Sequence, residues 1–293
     1  MWFQWRHRPG RELTMRRGAY LERADGGGTA ALLPTSYSVD DAPNGVSRNS
    51  PSSVPATSME FRVWARQGEQ FTPARRRPAR NLVIGAGAPS DVHSAYNLLR
   101  TQVIRRVQEN GWKTVAITSP SRASGTTLTA INLAISIARD FSYTVLLVEL
   151  DLVNPSFHQV LGFKQRLGIV DYLLHDVPIQ EVMLSPGIDR LVVIPAGSPV
   201  TNSSELLSSP KMARLVEELT HRQEHRIILF DLPSVLATDD AMAFSPFVDC
   251  ALLVVEEGET RVNDVRRALD YLRSTKILGF VLNQSVHVEN DGK

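Results

Sequence analysis

The chain has 293 residues, 43% of them hydrophobic, with 32 Lys and Arg against 31 Asp and Glu and a formal net charge of +1 at pH 7. That length can bury one sizeable core and carry appendages, and so small a net charge excludes a global attraction to nucleic acid or to anionic lipid, leaving only local patches. The single cysteine, Cys250, excludes an intramolecular disulfide and fits a reducing compartment. Lying inside the apolar run 248–255, it reads as a small buried core residue.

Residues 1–80 mix Arg, Gly, Pro and Ser without a helical or strand period, a composition that cannot bury enough apolar surface to offset its ordering entropy. They are expected to form a disordered extension. Trp2, Phe3 and Trp5 beside Arg6 and Arg8 are a candidate membrane-surface or partner anchor, weighed against an unstructured tail or an extension upstream of a start at Met15 or Met59. No run approaches the roughly 18 apolar residues that cross a bilayer, and the first 17 residues lack the apolar stretch of a secretory signal. A cytoplasmic or peripheral location is expected. The basic cluster Arg75-Arg76-Arg77 reads as a solvated linker, worth about 1 kcal/mol per residue only near an anionic surface. No interleaving of aromatic and basic residues points to nucleic acid as a partner.

Residues 81–111 form a leading helix region. Val92, Ala95, Leu98, Leu99, Val103 and Val107 recur near helical spacing over 91–108, with Ser90 or Asp91 as a possible N-cap and Asn110-Gly111 as a stop. The stretch 113–151 organises the rest of the chain. An apolar run with Val115 and Ile117 ends at a loop of small and polar residues, an apolar-periodic segment covers 128–138, and a second run, 145–148, delivers Glu149 and Asp151 to its carboxyl end. In an open parallel sheet, that end is where ligands bind.

The loop has the layout of a phosphate-binding P-loop, whose usual form is G-x-x-x-x-G-K-[ST]. Its residues here are Pro120, Ser121, Arg122, Ala123, Ser124, Gly125, Thr126 and Thr127. Gly125 and the hydroxyl of Thr127 are kept, while Pro120 stands at the first Gly and Thr126 at the phosphate-reaching Lys.

Further on, runs 191–195, 227–230, 251–255 and 277–282 read as strands, and 210–222 and 260–275 as amphipathic helices. Such alternation predicts an α/β fold with a doubly wound, mostly parallel sheet over residues 112–285, followed by a short tail, 286–293. Asp231 ends the run IILFD, a position suited to holding a magnesium-bound water. Because Mg²⁺ keeps several waters and takes one or two carboxylates, Thr127, Asp151 and Asp231 suffice as its protein surroundings. The alternative is that both Asp residues cap loops or helices. His221 to His225 match H-x-x-E-H, a zinc-protease pattern. It is set aside, because the match lies at a frayed helix end with no third ligand apparent.

From SAYNLLRT through VAITSPSRASGTT, VLLVELDLVNPS, LFDLPS, ATDDA and LLVVEEGET to GFVLNQ, residues 90–285 carry a run of segments in order. The run resembles the bacterial tyrosine kinases and related ATPases of capsule and exopolysaccharide synthesis, members of the deviant-Walker P-loop NTPases that include division-site and partitioning ATPases. The resemblance implies ATP or ADP with Mg²⁺ as cofactors. It implies nucleotide contacts from Ser121, Arg122, Ala123, Ser124, Gly125, Thr126, Thr127 and, at the base, Asn283. Asp151 and Asp231 become the catalytic carboxylates and, with Thr127, the metal's surroundings, and Glu149 keeps the family's first acid. A membrane polysaccharide chain-length or export protein is the implied partner, recruiting the chain to the inner face of the plasma membrane.

The departures are as informative. Besides Thr126, the family's ring-forming E-x-x-R-x-x-R appears as Ser94, Asn97 and Arg100, and no Tyr follows Tyr271. Nor does the loop carry the extra lysine of the partitioning ATPases, which would fall at Ser121. Three readings stay open: a regulatory pseudo-kinase or weak ATPase of exopolysaccharide synthesis, an active kinase or ATPase in which Arg122 supplies the charge, and a positioning ATPase.

Overall fold

The computed structural model describes residues 2–4, 69–70, 83, 90–221 and 225–284. The rest of the expected disordered extension, the Trp5, Arg6 and Arg8 part of the anchor, the Arg75–Arg77 cluster and the tail 286–293 lie outside the described residues.

In chain order the strands are β1 (Trp2–Gln4), β2 (Glu69–Gln70), β3 (Thr114–Thr118), β4 (Thr144–Glu149), β5 (Leu184–Ser185), β6 (Leu191–Ile194), β7 (Arg226–Asp231), β8 (Cys250–Glu256) and β9 (Lys276–Asn283). The helices are α1 (Ser90–Asn110), α2 (Thr126–Ala138), α3 (Phe157–Leu161), α4 (Ile169–His175), α5 (Ile179–Val182), α6 (Ser203–Leu207), α7 (Pro210–His221), α8 (Asp240–Phe244) and α9 (Val262–Tyr271). The strands form one sheet in the order β1-β9-β8-β3-β7-β4-β6-β5-β2. Every neighbouring pair is parallel except β5 with β6.

The central strands are rich in Val, Ile and Leu because both of their faces are covered. Alternate residues serve opposite layers, as the two-residue period of a strand requires. Val115, Ile117, Val145 and Leu147 pack into one core with Leu99, Val103, Ile131 and Ile135 of α1 and α2. Ala116, Leu146, Val148, Ile228 and Phe230 pack into the other with Met212, Leu215 and Leu219 of α7, Phe244 of α8 and Ala268 of α9. Helix α2 is buried continuously from Thr129 to Ala138, as a helix between a sheet and a second helix must be. On its outer side the Arg100 guanidinium donates to the Ser136 carbonyl at 3.2 Å, and the Ser136 hydroxyl donates to Asn97 Oδ1 at 3.1 Å. The ring-motif positions Asn97 and Arg100 are therefore engaged within the chain.

The chain leaves β3, crosses to β4, and only later inserts β7 between them, while β8 pairs with the other side of β3. The strand order thus reverses at β3, the kind of switch point where open α/β sheets bind ligands. Register aligns the carboxyl ends: Asp231 lies opposite Ile117 of β3 and opposite Glu149 of β4.

Two expectations need correcting. Leu98, counted on the buried face of α1, is 37% exposed, and Tyr96 enters the core instead. The helix expected over 260–275 occupies Val262–Tyr271. Within the extension 1–80, expected to be mostly disordered, the described residues are the short strands β1 and β2, which pair with β9 and β5.

Candidate functional site

The phosphate loop follows β3 and is fastened to the segment after β7. Thr118 Oγ1 donates to the Pro233 carbonyl at 2.6 Å, and the N–H groups of Val235 and Leu236 donate to the Ser119 and Pro120 carbonyls at 2.9 and 3.3 Å. Between the two segments lies a cavity of about 370 Å³. Ser119, Arg122, Ala123, Gly125, Thr126 and Thr127 line it from the loop, Asp151 and Asn154 from the end of β4. The remaining wall is Leu232, Pro233, Ser234, Ala237 and Thr238.

The loop keeps its turn without the first glycine of the usual pattern. Gly125 precedes α2 with φ +81°, and Ala123 takes φ +65°. A left-handed alanine costs roughly 1–2 kcal/mol, and the surrounding hydrogen bonds hold it there. Ser119 and Ser124 hydroxyls both donate to the Ser121 carbonyl, at 2.7 and 3.0 Å, while Gln284 Nε2 donates to the Ala123 carbonyl at 3.0 Å. Ser121 and Ser124 thus brace the loop and do not line the cavity.

Asn283, expected at a nucleotide base, sits against the same loop. Its Nδ2 donates to the Ser124 carbonyl at 2.8 Å, and a Cβ at Gly125 would meet that nitrogen at 2.2 Å. Gly125 is required both by its backbone angle and by this close approach.

The three acids differ in their surroundings. Glu149 Oε1 accepts the N–H groups of Ser156 and Phe157 at 2.5 and 2.7 Å, and Oε2 accepts that of Ala196 at 3.0 Å. It ties the loop before α3 and the end of β6 to β4. Burial pushes its pKa up, opposed by these three hydrogen bonds. Asp151 faces the cavity, accepting the Asn154 N–H at 2.9 Å. Burial raises its pKa as well, while the Arg122 charge pulls it down.

Asp231 is 1% exposed, and neither of its carboxylate oxygens makes a full hydrogen bond. The Thr127 hydroxyl is near enough to favour the charged form without reaching hydrogen-bond geometry. Burial, with the charges of Glu149 and Asp151, holds the Asp231 pKa well above the usual carboxylate range. A buried carboxylate without full partners, beside a hydroxyl and a second acid, is an oxygen donor set that fits a hard divalent cation.

Other sequence features resolve into structure. His221 Nδ1 lies 2.8 Å from the Glu217 carbonyl, and His225 packs edge-on to Tyr143. Residues 222–224 of the zinc pattern lie outside the described residues, among which no group of three or more His, Cys, Asp or Glu is placed to hold a metal ion. Cys250 is buried, its thiol pKa pushed up by desolvation, as a core residue's should be. Among the described residues, no helix is long and apolar enough to cross a membrane. The wall formed by Ser234, Ala237 and Thr238 was not foreseen: the segments LFDLPS and ATDDA contribute to the resemblance, but nothing in them marks these side chains as lining a cavity.

No protein-family profile matches the sequence. Tyrosine-protein kinase YwqD of Bacillus subtilis (strain 168) is 30% identical over 204 residues, covering 69% of this chain and 85% of that protein. The chain belongs to the bacterial tyrosine-protein kinase family. Another relative, the succinoglycan biosynthesis transport protein ExoP of Rhizobium meliloti (strain 1021), is 31% identical over 178 residues, or 59% of this chain. The match spans only 22% of that protein. Among solved structures, the kinase domain of the Escherichia coli tyrosine kinase ETK superposes with a TM-score of 0.67 at 24% identity, covering 78% of this chain and 89% of that one. The septum site-determining protein MinD of Pyrococcus horikoshii OT3, solved with Mg-ADP, gives 0.51 at 23% identity over 62% of this chain and 74% of that one. At these identities the two likenesses show the fold. This tyrosine-kinase family member therefore has the P-loop fold expected of it.

Proposed function

We propose that the chain is a regulatory subunit of exopolysaccharide or capsule synthesis or export, acting at the inner face of the plasma membrane beside a membrane chain-length or export protein. Its domain spans residues 112–285 behind the leading helix region, and its cavity takes ADP or ATP with Mg²⁺. It transfers phosphate weakly or not at all. The observation that carries this reading is Thr126. A half-buried hydroxyl lines the cavity at the first residue of α2, where the family's loop presents the lysine that reaches the β- and γ-phosphates.

Thr127, Asp151 and Asp231 are the residues that would hold Mg²⁺, which when bound would offset phosphate charge and polarise the terminal phosphoryl group. The chain itself supplies backbone N–H groups at the start of α2 and the loop's hydroxyls, which orient phosphates without neutralising them. Catalysis of phosphoryl transfer is chiefly positioning and charge stabilisation. The loss of a cation therefore affects turnover more than binding. The name of one relative, the succinoglycan biosynthesis transport protein ExoP, ties that protein to polysaccharide synthesis and transport, which supports the pathway. The engagement of Asn97 and Arg100 with Ser136 supports a chain that forms no closed ring.

A second reading, an active kinase or ATPase, is favoured by Arg122, which lines the cavity with no other lysine or arginine among the described residues of its wall and whose charge already acts on Asp151. The first test is calorimetric titration with Mg-ADP. Saturable binding that EDTA weakens is expected. A folded protein that takes up no nucleotide would exclude the cofactor.

A further inference from the structure

We propose that Ser234 is a ligand-binding residue of the cavity, its hydroxyl donating a hydrogen bond to an oxyanion of the bound molecule. The inference deepens the nucleotide reading above, on which it rests for the identity of that oxyanion as a phosphate oxygen. Ser234 is 6% exposed, and its Oγ is buried without any hydrogen-bond partner. It nevertheless lines the cavity, facing the phosphate loop across it. A buried hydroxyl left unpaired is destabilising, and native chains keep few of them without a use.

The surrounding backbone explains why the hydroxyl is held in place. Ser234 lies between Pro233, whose carbonyl accepts from Thr118, and Val235, whose N–H donates to Ser119. Its own carbonyl accepts the Ala237 N–H at 3.1 Å, closing a turn. The Cα of Ser234 is thus fixed from both sides to the strand end and the loop that would carry phosphate. With the backbone so fixed, rotation of the side chain is all that brings the hydroxyl to a ligand, which keeps the ordering cost of the site small. Its position complements the loop: Thr126 and Thr127 approach from the start of α2, Ser234 from the segment after β7. With no lysine at 126, hydroxyl donors from two sides supply part of what the missing cation would.

The structure makes two opposite demands of one substitution. In Ser234→Ala the ligand loses a donor, so affinity for Mg-ADP is expected to fall about tenfold, the usual range for a hydrogen bond to a charged group. The free protein loses only an unpaired buried hydroxyl, so its melting temperature without ligand is expected to stay level or rise. Both are measured on the full chain, by calorimetry with Mg-ADP and with pyrophosphate, and by thermal melting. Weaker binding of either probe with an unchanged or higher melting point supports the assignment. If pyrophosphate responds but Mg-ADP binds to neither protein, Ser234 keeps its role and the nucleotide reading fails. Equal binding of Mg-ADP to both proteins overturns the role of Ser234 and leaves that reading intact. A lowered melting point with unchanged affinity overturns it too, since Ser234 would then be structural, its hydroxyl satisfied by a buried water. Binding of neither probe to either protein overturns both.

Discussion

Thr126→Lys is expected to bind Mg-ADP about tenfold more tightly or better than the natural chain, since a charge-assisted hydrogen bond to phosphate contributes roughly 1.5–3 kcal/mol. Thr126 opens α2 at the cavity wall, directly before Thr127, and Gly125 ahead of it has the left-handed turn that the loop needs. Ala123 adopts φ +65°, so the backbone shape that glycine usually provides is present despite the side chain. A lysine at 126 therefore enters a loop whose backbone already has these two left-handed turns. Calorimetry on both proteins measures the gain. Unchanged affinity in a folded variant would mean that the N–H groups of the loop do not face the ligand.

Glu149→Ala, in turn, should destabilise the fold by about 3 kcal/mol or more, because three backbone N–H groups, those of Ser156, Phe157 and Ala196, lose their acceptor together. In a domain of this size that corresponds to a fall in melting temperature on the order of 10 °C. Glu149→Gln keeps one acceptor oxygen and should lie between the two. A melting temperature for Glu149→Ala within a degree or two of the natural chain would show that water replaces the carboxylate, and Glu149 would not be the brace described.

Much of this architecture was legible from residue order. The strands of a sheet covered on both faces are runs such as VLLVE and IILF, and their apolar character is independent of the partner strand. The positions of Thr127, Asp151 and Asp231 follow from where those runs end. The short helices α3 to α6 were not legible, because four to seven residues cannot display a 3.6-residue period. What orders α3 is a distant carboxylate, Glu149, through the N–H groups before it. Ser234 was hidden for a related reason. A hydroxyl is marked as functional only when it is buried, unpaired and facing a cavity, and all three are properties of the assembled fold. Asn283 shows the same limit: its place at the end of β9 was readable, but the direction of its amide, toward the Ser124 carbonyl, was not.

The proposal that the cavity holds a nucleotide without serving as a kinase is tested most directly by phosphoryl transfer. The full chain would be incubated with Mg-ATP, alone and with the cytosolic segment of a membrane polysaccharide chain-length protein, while phosphate release and phosphotyrosine are followed. Neither is expected to exceed a no-enzyme background under conditions where Mg-ADP binding is saturable. Turnover on the order of 1 s⁻¹, within the usual range of kinases, and abolished by Arg122→Ala, would contradict a regulatory role and make Arg122 the cation of an active site.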